Sequence, residues 1–137
     1  MTVRMNAYLN FRDETRAAMD FYHSVFGGTL ESMTFGEGGM SDDPAHVDLV
    51  MHAHLVTDAG LDLMASDTPP GGDQPTMGTA IDLSVNGDDP RIRDYWEKLT
   101  DGAEVVAPLS PAPWGDEFGL LNDRFGVAWL FNLASQS

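Results

Sequence analysis

Only four histidines occur in the chain, and two of them, His52 and His54, stand one residue apart in the stretch MHAHL. Imidazole is the side chain whose ordinary pKa lies nearest neutrality, so the pair could move protons or ligate a divalent ion. On a strand, residues two apart point to the same face. If this stretch is a strand, both rings are delivered to one surface. A metal would need a third donor, which Asp48 or Asp82 could supply. Failing that, one ring can hydrogen-bond a buried polar partner while the other lies near a rim. The reading carried forward is that His52 lines a ligand site, where it can donate, accept or carry a proton, which makes it the candidate catalytic residue.

Composition narrows the chemistry around these rings. The chain has no cysteine, which removes thiolate catalysis, Cys-ligated zinc and iron–sulfur clusters. Twenty-two acidic residues against seven basic ones give a formal charge of −15. Such a field repels phosphate backbones and anionic lipid, so neither nucleic acid nor membrane is an expected partner. The start, MTVRMNAYLNF, lacks the basic and apolar pattern of a targeting segment, and no run approaches a membrane span. The expectation is a soluble, cytoplasmic protein.

At 137 residues the chain is expected to form one domain that buries about two thirds of its unfolded surface. A shift of 74 positions aligns its two halves: Leu9 falls on Leu83, Phe11 on Val85, Asp20 on Asp94, Phe21 on Tyr95, Tyr22 on Trp96 and Gly28 on Gly102. The first unit, about residues 1–67, opens with the alternating strand AYLNF. A helix over 14–26 follows, with Ala18, Phe21, Tyr22 and Val25 as its apolar stripe and Gly27-Gly28 as its stop. Strands are predicted at 29–35, 47–56 and 61–66. After a linker at 68–78, the second unit (79–137) repeats the order. It has a strand at 80–85, then a helix with Asp89 as N-cap, Pro90 at its first position and the stripe Ile92, Tyr95, Trp96, Leu99, and then strands EVVAPL, EFGLLN and VAWLFNL. The fold class is therefore α+β, as two tandem βαβββ modules.

The segments YLNF, FYHSVFGG, MHAHL, Asp67 at the close of LMASD, and the final WGDEFGLLNDRFGVAWLFN resemble the vicinal oxygen chelate (glyoxalase/bleomycin-resistance/dioxygenase) superfamily. More narrowly they resemble its PhnB-like branch, often labelled 3-demethylubiquinone methyltransferase-like. The resemblance implies curved sheets whose concave faces enclose a small-molecule cavity, and a homodimer. In metal-dependent relatives, it further implies four His or Glu ligands drawn from both modules, holding a divalent ion that stabilises an enolate or oxyanion.

Three of those ligand places carry other groups here. Asn6 and Ala80, themselves 74 apart, occupy the strand openings, and Trp129-Leu130 stands where a Glu is expected. The usual metal is thus not expected, and a divalent metal at His52/His54 is the alternative. Alternation assigns Leu49, Met51, Ala53 and Leu55 to the helix-packed side of their strand. Asp48, Val50, His52 and His54 then face the cavity, joined by Tyr8, Asn10, Asp82 and Ser84. Trp114, in a Pro/Gly loop, is read as covering the cavity mouth or a dimer contact, and Trp129 as core or cavity wall. Phe118 and Phe125 are read as core, Asp67 and Asp123 as turn caps, Arg124 as one half of a surface pair, and His23 and His46 as exposed.

Two functions fit. One is a metal-independent protein that binds a small organic molecule. The other is an isomerase, lyase or hydrolytic enzyme acting next to a carbonyl through His52. A methyltransferase is disfavoured, because no Gly-rich strand-to-helix turn followed by an acidic residue is present to seat a nucleotide-like cofactor.

Overall fold

The computed structural model describes residues 2–69 and 71–135. The chain divides into two compact units, Met1–Thr76 and Met77–Ser137, and the boundary falls inside the segment expected to link the modules. In the first unit, β1 (Ala7–Phe11), α1 (Thr15–Phe26), β2 (Thr29–Thr34), β3 (Val50–Val56) and β4 (Asp62–Asp67) build a sheet of order β1-β4-β3-β2. In the second, β5 (Leu83–Gly87), α2 (Arg91–Leu99), β6 (Glu104–Pro111), β7 (Glu117–Asn122) and β8 (Ala128–Leu133) give β5-β8-β7-β6. The first and last strands of each unit pair in parallel, and the other pairs are antiparallel. The βαβββ order expected from the sequence is therefore present twice.

Each helix covers one face of its own sheet. Along α1, Thr15, Ala18, Met19, Tyr22, Val25 and Phe26 are buried, and the sheet answers with Phe11, Ala53, Leu55, Leu63 and Ala65. The expected stripe changes at one place: Phe21 is only half-buried, while Met19 and Phe26 join the core. One residue is about 100° of helix rotation, so the ring next to Tyr22 lies on the flank of the arc that Tyr22 centres. The α2 stripe is the expected one, with Ile92, Tyr95, Trp96 and Leu99 all buried. Trp96 lies edge-on to Phe131, with centroids 5.3 Å apart. A Cβ at Gly119, in the middle of β7, would come within 2.7 Å of the Trp96 ring. A mid-strand glycine, unfavourable by itself, here makes room for the indole.

The helices start by different devices. Asp89 Oδ1 accepts from the Arg91 backbone N–H at 2.9 Å while Oδ2 accepts from the Arg91 guanidinium at 2.8 Å. These bonds, the side-chain one foremost, hold the Asp89 carboxyl below the usual carboxylate range. At α1 the partner comes from far away in sequence. Asp67, at the end of β4 and buried, accepts from Thr15 N–H through Oδ1 at 3.0 Å and from Val50 N–H through Oδ2 at 2.9 Å. It is a helix cap rather than the expected turn cap. Asp123 does cap its turn, with Oδ1 accepting from Phe125 and Val127 N–H.

The repeat also proves less uniform than one gapless shift. The offset of 74 carries Ala18, Tyr22 and Val25 onto Ile92, Trp96 and Leu99, all buried. Past the helices, Thr57 and Asp123 open equivalent hairpins, since each N–H donates to the carbonyl four residues on, in Leu61 and Val127. Those two residues are 66 apart. The first unit has inserted chain in its β2–β3 connection, residues 35–49, where the second has only 112–116. Two strands start three residues later than expected: β3 at Val50 rather than 47, and β5 at Leu83 rather than 80.

Replacing Asp67 by Ala orphans two buried backbone donors at once, which predicts a loss of about 3 kcal/mol. Urea unfolding measures it, with exposed Asp73→Ala as the control expected to change little.

Candidate functional site

The face of the first sheet turned away from α1 is built by register. Tyr8 pairs with Met64, Met64 with His54 and His54 with Glu31, so one row of side chains crosses all four strands. In the next row Asn10 pairs with Ser66, and His52 with Met33. Between Met33 and Thr34 the register slips, Thr34 pairing with Val50, so Met51 is an extra residue in β3. Such a bulge breaks strict alternation. Val50 is consequently buried in the core, 1% exposed, and does not share the histidines' face as strict alternation predicted. Met51 is likewise not buried, and its thioether lies with that of Met33 around Gly38. His52 and His54 keep the expected orientation, opposite the buried Ala53 and Leu55.

Each imidazole has its own partner. The Tyr8 hydroxyl lies 3.1 Å from His52 Nδ1, and the two rings stack with centroids 5.7 Å apart and planes 27° from parallel. His54 Nε2 meets Asp62 Oδ1 at 2.7 Å, with both side chains about a quarter exposed. The sequence reading missed Asp62, though a signal existed. Asp62 begins the strand that returns from the hairpin opened by Thr57 and pairs with Val56, which puts it diagonal to His54 on the same face. His52 Nε2 has no partner among the described residues.

The carboxylates expected beside MHAHL lie off its strand face. Asp48 precedes β3 and is exposed, and Asp82 precedes β5 and is exposed, so neither sits on the strand face assigned to it. Among the described residues, no three His, Cys, Asp or Glu side chains are grouped closely enough to hold an ion. At the places where metal-dependent relatives carry ligands, the exposed Asn6 amide donates to its neighbour's carbonyl, Ala80 offers no donor atom, and Trp129 faces the core. This donor set does not fit the four-ligand site that the resemblance implies.

In the second unit the face away from α2 carries Ser84 and Asn86 on β5, Leu130 and Asn132 on β8, and Leu120 and Phe118 on β7. Asn86 donates to Ser84 Oγ at 3.0 Å. Trp114 lies against this face. Its indole N–H donates to Asn132 Oδ1 at 3.2 Å, its ring meets Phe118 edge-on at 5.4 Å, and it is still 58% exposed. Asn132 in turn donates to Asp116, which also accepts from Ser135 N–H. Trp129 does not belong here: it is 4% exposed on the helix side and donates to Asp123 Oδ2 at 2.8 Å. Phe118 and Phe125 are half-buried rather than core. Arg124 pairs with Asp101 at 2.8 Å, the surface pair expected of it. His23 and His46 are partly buried rather than exposed. The first bonds the Gly28 carbonyl at the end of α1, and the second lies 4.0 Å from Asp43.

A sequence model described as the glyoxalase/bleomycin resistance protein/dioxygenase superfamily matches residues 4–131. The protein YjdN of Escherichia coli K12 is 26% identical over 143 residues, covering 96% of each chain. Among solved structures, protein PA1353 of Pseudomonas aeruginosa aligns with a TM-score of 0.80 at 37% identity, covering 96% of this chain and 98% of that one. A Bacillus cereus PhnB protein, named as a candidate 3-demethylubiquinone-9 3-methyltransferase, aligns with a TM-score of 0.74 at 26% identity, covering 96% and 100%.

A carboxylate at 2.7 Å requires a proton on His54 Nε2. Long-range proton–nitrogen NMR of the neutral ring is expected to show the Nε2–H tautomer in the wild type and a mixture in Asp62→Ala. A dominant Nδ1–H form in the wild type would contradict this pairing.

Proposed function

Because the chain belongs to the glyoxalase/bleomycin resistance protein/dioxygenase superfamily, we propose that it binds a small organic molecule on the face of the first sheet that α1 leaves open, with no metal in the contact. The observation that carries this reading is the stacked Tyr8–His52 pair. Two flat rings joined by a hydrogen bond form a platform, and His52 Nε2 stays available at its edge to donate or accept. Met33, 44% exposed, along with Met51 and Met64, surrounds it with adaptable apolar surface. Apolar lining with a few converging polar groups is what ligand sites are made of. Asn10 and His54 extend the polar edge, and Ser84 and Trp114 are the corresponding candidates on the second sheet. A homodimer and a cytoplasmic location complete the reading. Among the described residues, no helix is long and apolar enough to cross a membrane.

One observation supports a second reading. A tethered imidazole with a free Nε2 is also arranged as a general base, able to take a proton from a carbon next to a carbonyl while Tyr8 steadies the ring. The methyltransferase label of the B. cereus relative has less support. The strand-to-helix connections are Arg12–Glu14 and Asp88–Pro90, charged turns without the glycines that let a backbone approach a nucleotide-like cofactor.

Thermal-shift screening of aromatic and carbonyl compounds, with chelator throughout, tests the proposal. Stabilising compounds are expected to remain effective in chelator. Tyr8→Phe should weaken them by up to about tenfold, the worth of one hydrogen bond, and His52→Ala by more. Stabilisation that appears only with added divalent metal, and vanishes in His52→Ala and His54→Ala, would overturn it.

A further inference from the structure

A concavity lies in the first unit, at the corner where β1 turns into α1, and the Tyr8–His52 face contributes nothing to it. Its volume is about 330 Å³, and Arg12, Asp13, Ala45, Leu49, Thr68 and Gln74 are among its lining residues. Three polar groups there stand without partners. The Gln74 amide donates to the carbonyls of Thr68 and Pro69, at 3.2 and 3.0 Å. Those two acceptors fix which end of the amide is nitrogen, and Oε1 is left buried with no donor. Neither the Arg12 guanidinium nor the Asp13 carboxylate has a hydrogen bond or ion pair among the described residues.

The corner is held in place. Asp13 has φ +44°, the left-handed region that non-glycine residues seldom occupy. Around it, Thr68 N–H donates to Phe11 O at 2.9 Å, and Asp67 grips Thr15 and Val50. The backbone that carries Arg12 and Asp13 is therefore fixed, their charged side chains are exposed at the cleft, and together with Gln74 Oε1 they state a ligand's chemistry. Arg12 calls for a carboxylate. Asp13 and Gln74 Oε1 call for a donor, and beside a carboxylate a cationic donor is favoured. A bare anion would enter against the field of a chain charged −15, and a bare cation would meet Arg12, whereas a zwitterion satisfies both ends. Ala45 and Leu49 leave an apolar wall for a side chain.

We propose that this cleft binds a free α-amino acid, its carboxylate on Arg12 and its ammonium shared between Asp13 and Gln74 Oε1. The inference is independent of the ligand proposed at Tyr8 and His52.

The test is calorimetric titration of the whole chain with each proteinogenic amino acid, and with L-leucine beside its two truncated forms, isocaproate without the amine and isoamylamine without the carboxylate. Saturable binding of one molecule per chain is expected, with each truncated form at least about tenfold weaker. Arg12→Gln, at an exposed position, and Gln74→Leu should each weaken the amino acid about tenfold or more, while Tyr8→Phe and His52→Ala leave it within about twofold. Three results would overturn the proposal: no saturation by any amino acid up to about 10 mM, isocaproate binding as well as leucine, or loss of binding in His52→Ala, which would place the ligand on the other face.

Discussion

A single buried carboxylate ties the first unit together. Asp67 closes β4, and its two oxygens reach the first residue of α1 and the first residue of β3. Three elements distant in sequence thus share one acceptor. The constraint runs both ways: a buried N–H without a partner is costly, so Thr15 and Val50 need Asp67 as much as the carboxylate needs them. With Thr15 fixed, α1 packs on β2, β3 and β4, and Ala18, Tyr22 and Val25 are buried together with Ala53, Leu55 and Ala65 of the sheet. At the other end of α1 the approach is close enough that a Cβ on Gly28 would lie 2.0 Å from the Val56 carbonyl, and Gly28 holds φ +97°. Only glycine satisfies both the conformation and the contact.

The second unit reaches the same topology by other means. Asp89 caps α2 locally, and no carboxylate corresponds to Asp67, since β8 ends in Leu133. The buried acid here is Asp123, which closes the β7–β8 turn and holds the indole of Trp129 against the core. Trp96 fills the space over Gly119, and the aromatic group Trp96, Trp129 and Phe131 does the packing that smaller residues do beneath α1. Duplicated architecture has therefore kept its hydrogen-bonded frame while exchanging the residues that secure it.

This pattern explains what could be read from the sequence. Element order and type were legible, because hydrophobic periodicity and the glycine and proline stops are local signals, and the shift of 74 carried the α1 stripe onto Ile92, Trp96 and Leu99. The orientation of His52, His54, Tyr8 and Ser84 was legible for the same reason. Trp129 was also within reach, since it alternates with the apolar Val127, Phe131 and Leu133, all buried. Relations set by pairing rather than by local pattern were not legible. Asp62 becomes the partner of His54 only once the hairpin register is known, and Asp67 becomes a helix cap only once β4 lies beside β1. Val50 was misplaced because alternation assumes a period of two, and one inserted residue cancels it.

That inserted residue also decides what the open face can do. Were Met51 regularly paired instead of bulged, strict alternation from Val50 to His54 would place Val50 beside the histidines and withdraw its N–H from the edge where Asp67 receives it. With the bulge, the same strand meets two demands of opposite character: a buried backbone donor for the structural carboxylate, and two outward imidazoles beside Tyr8. Bulges increase local twist and re-aim side chains, and they recur near binding sites for that reason. The frame that needs Asp67 and the face that presents His52 are thus coupled through three residues of β3, Val50 to His52, so substitutions that shift the Met33–His52 register should disturb core and site together.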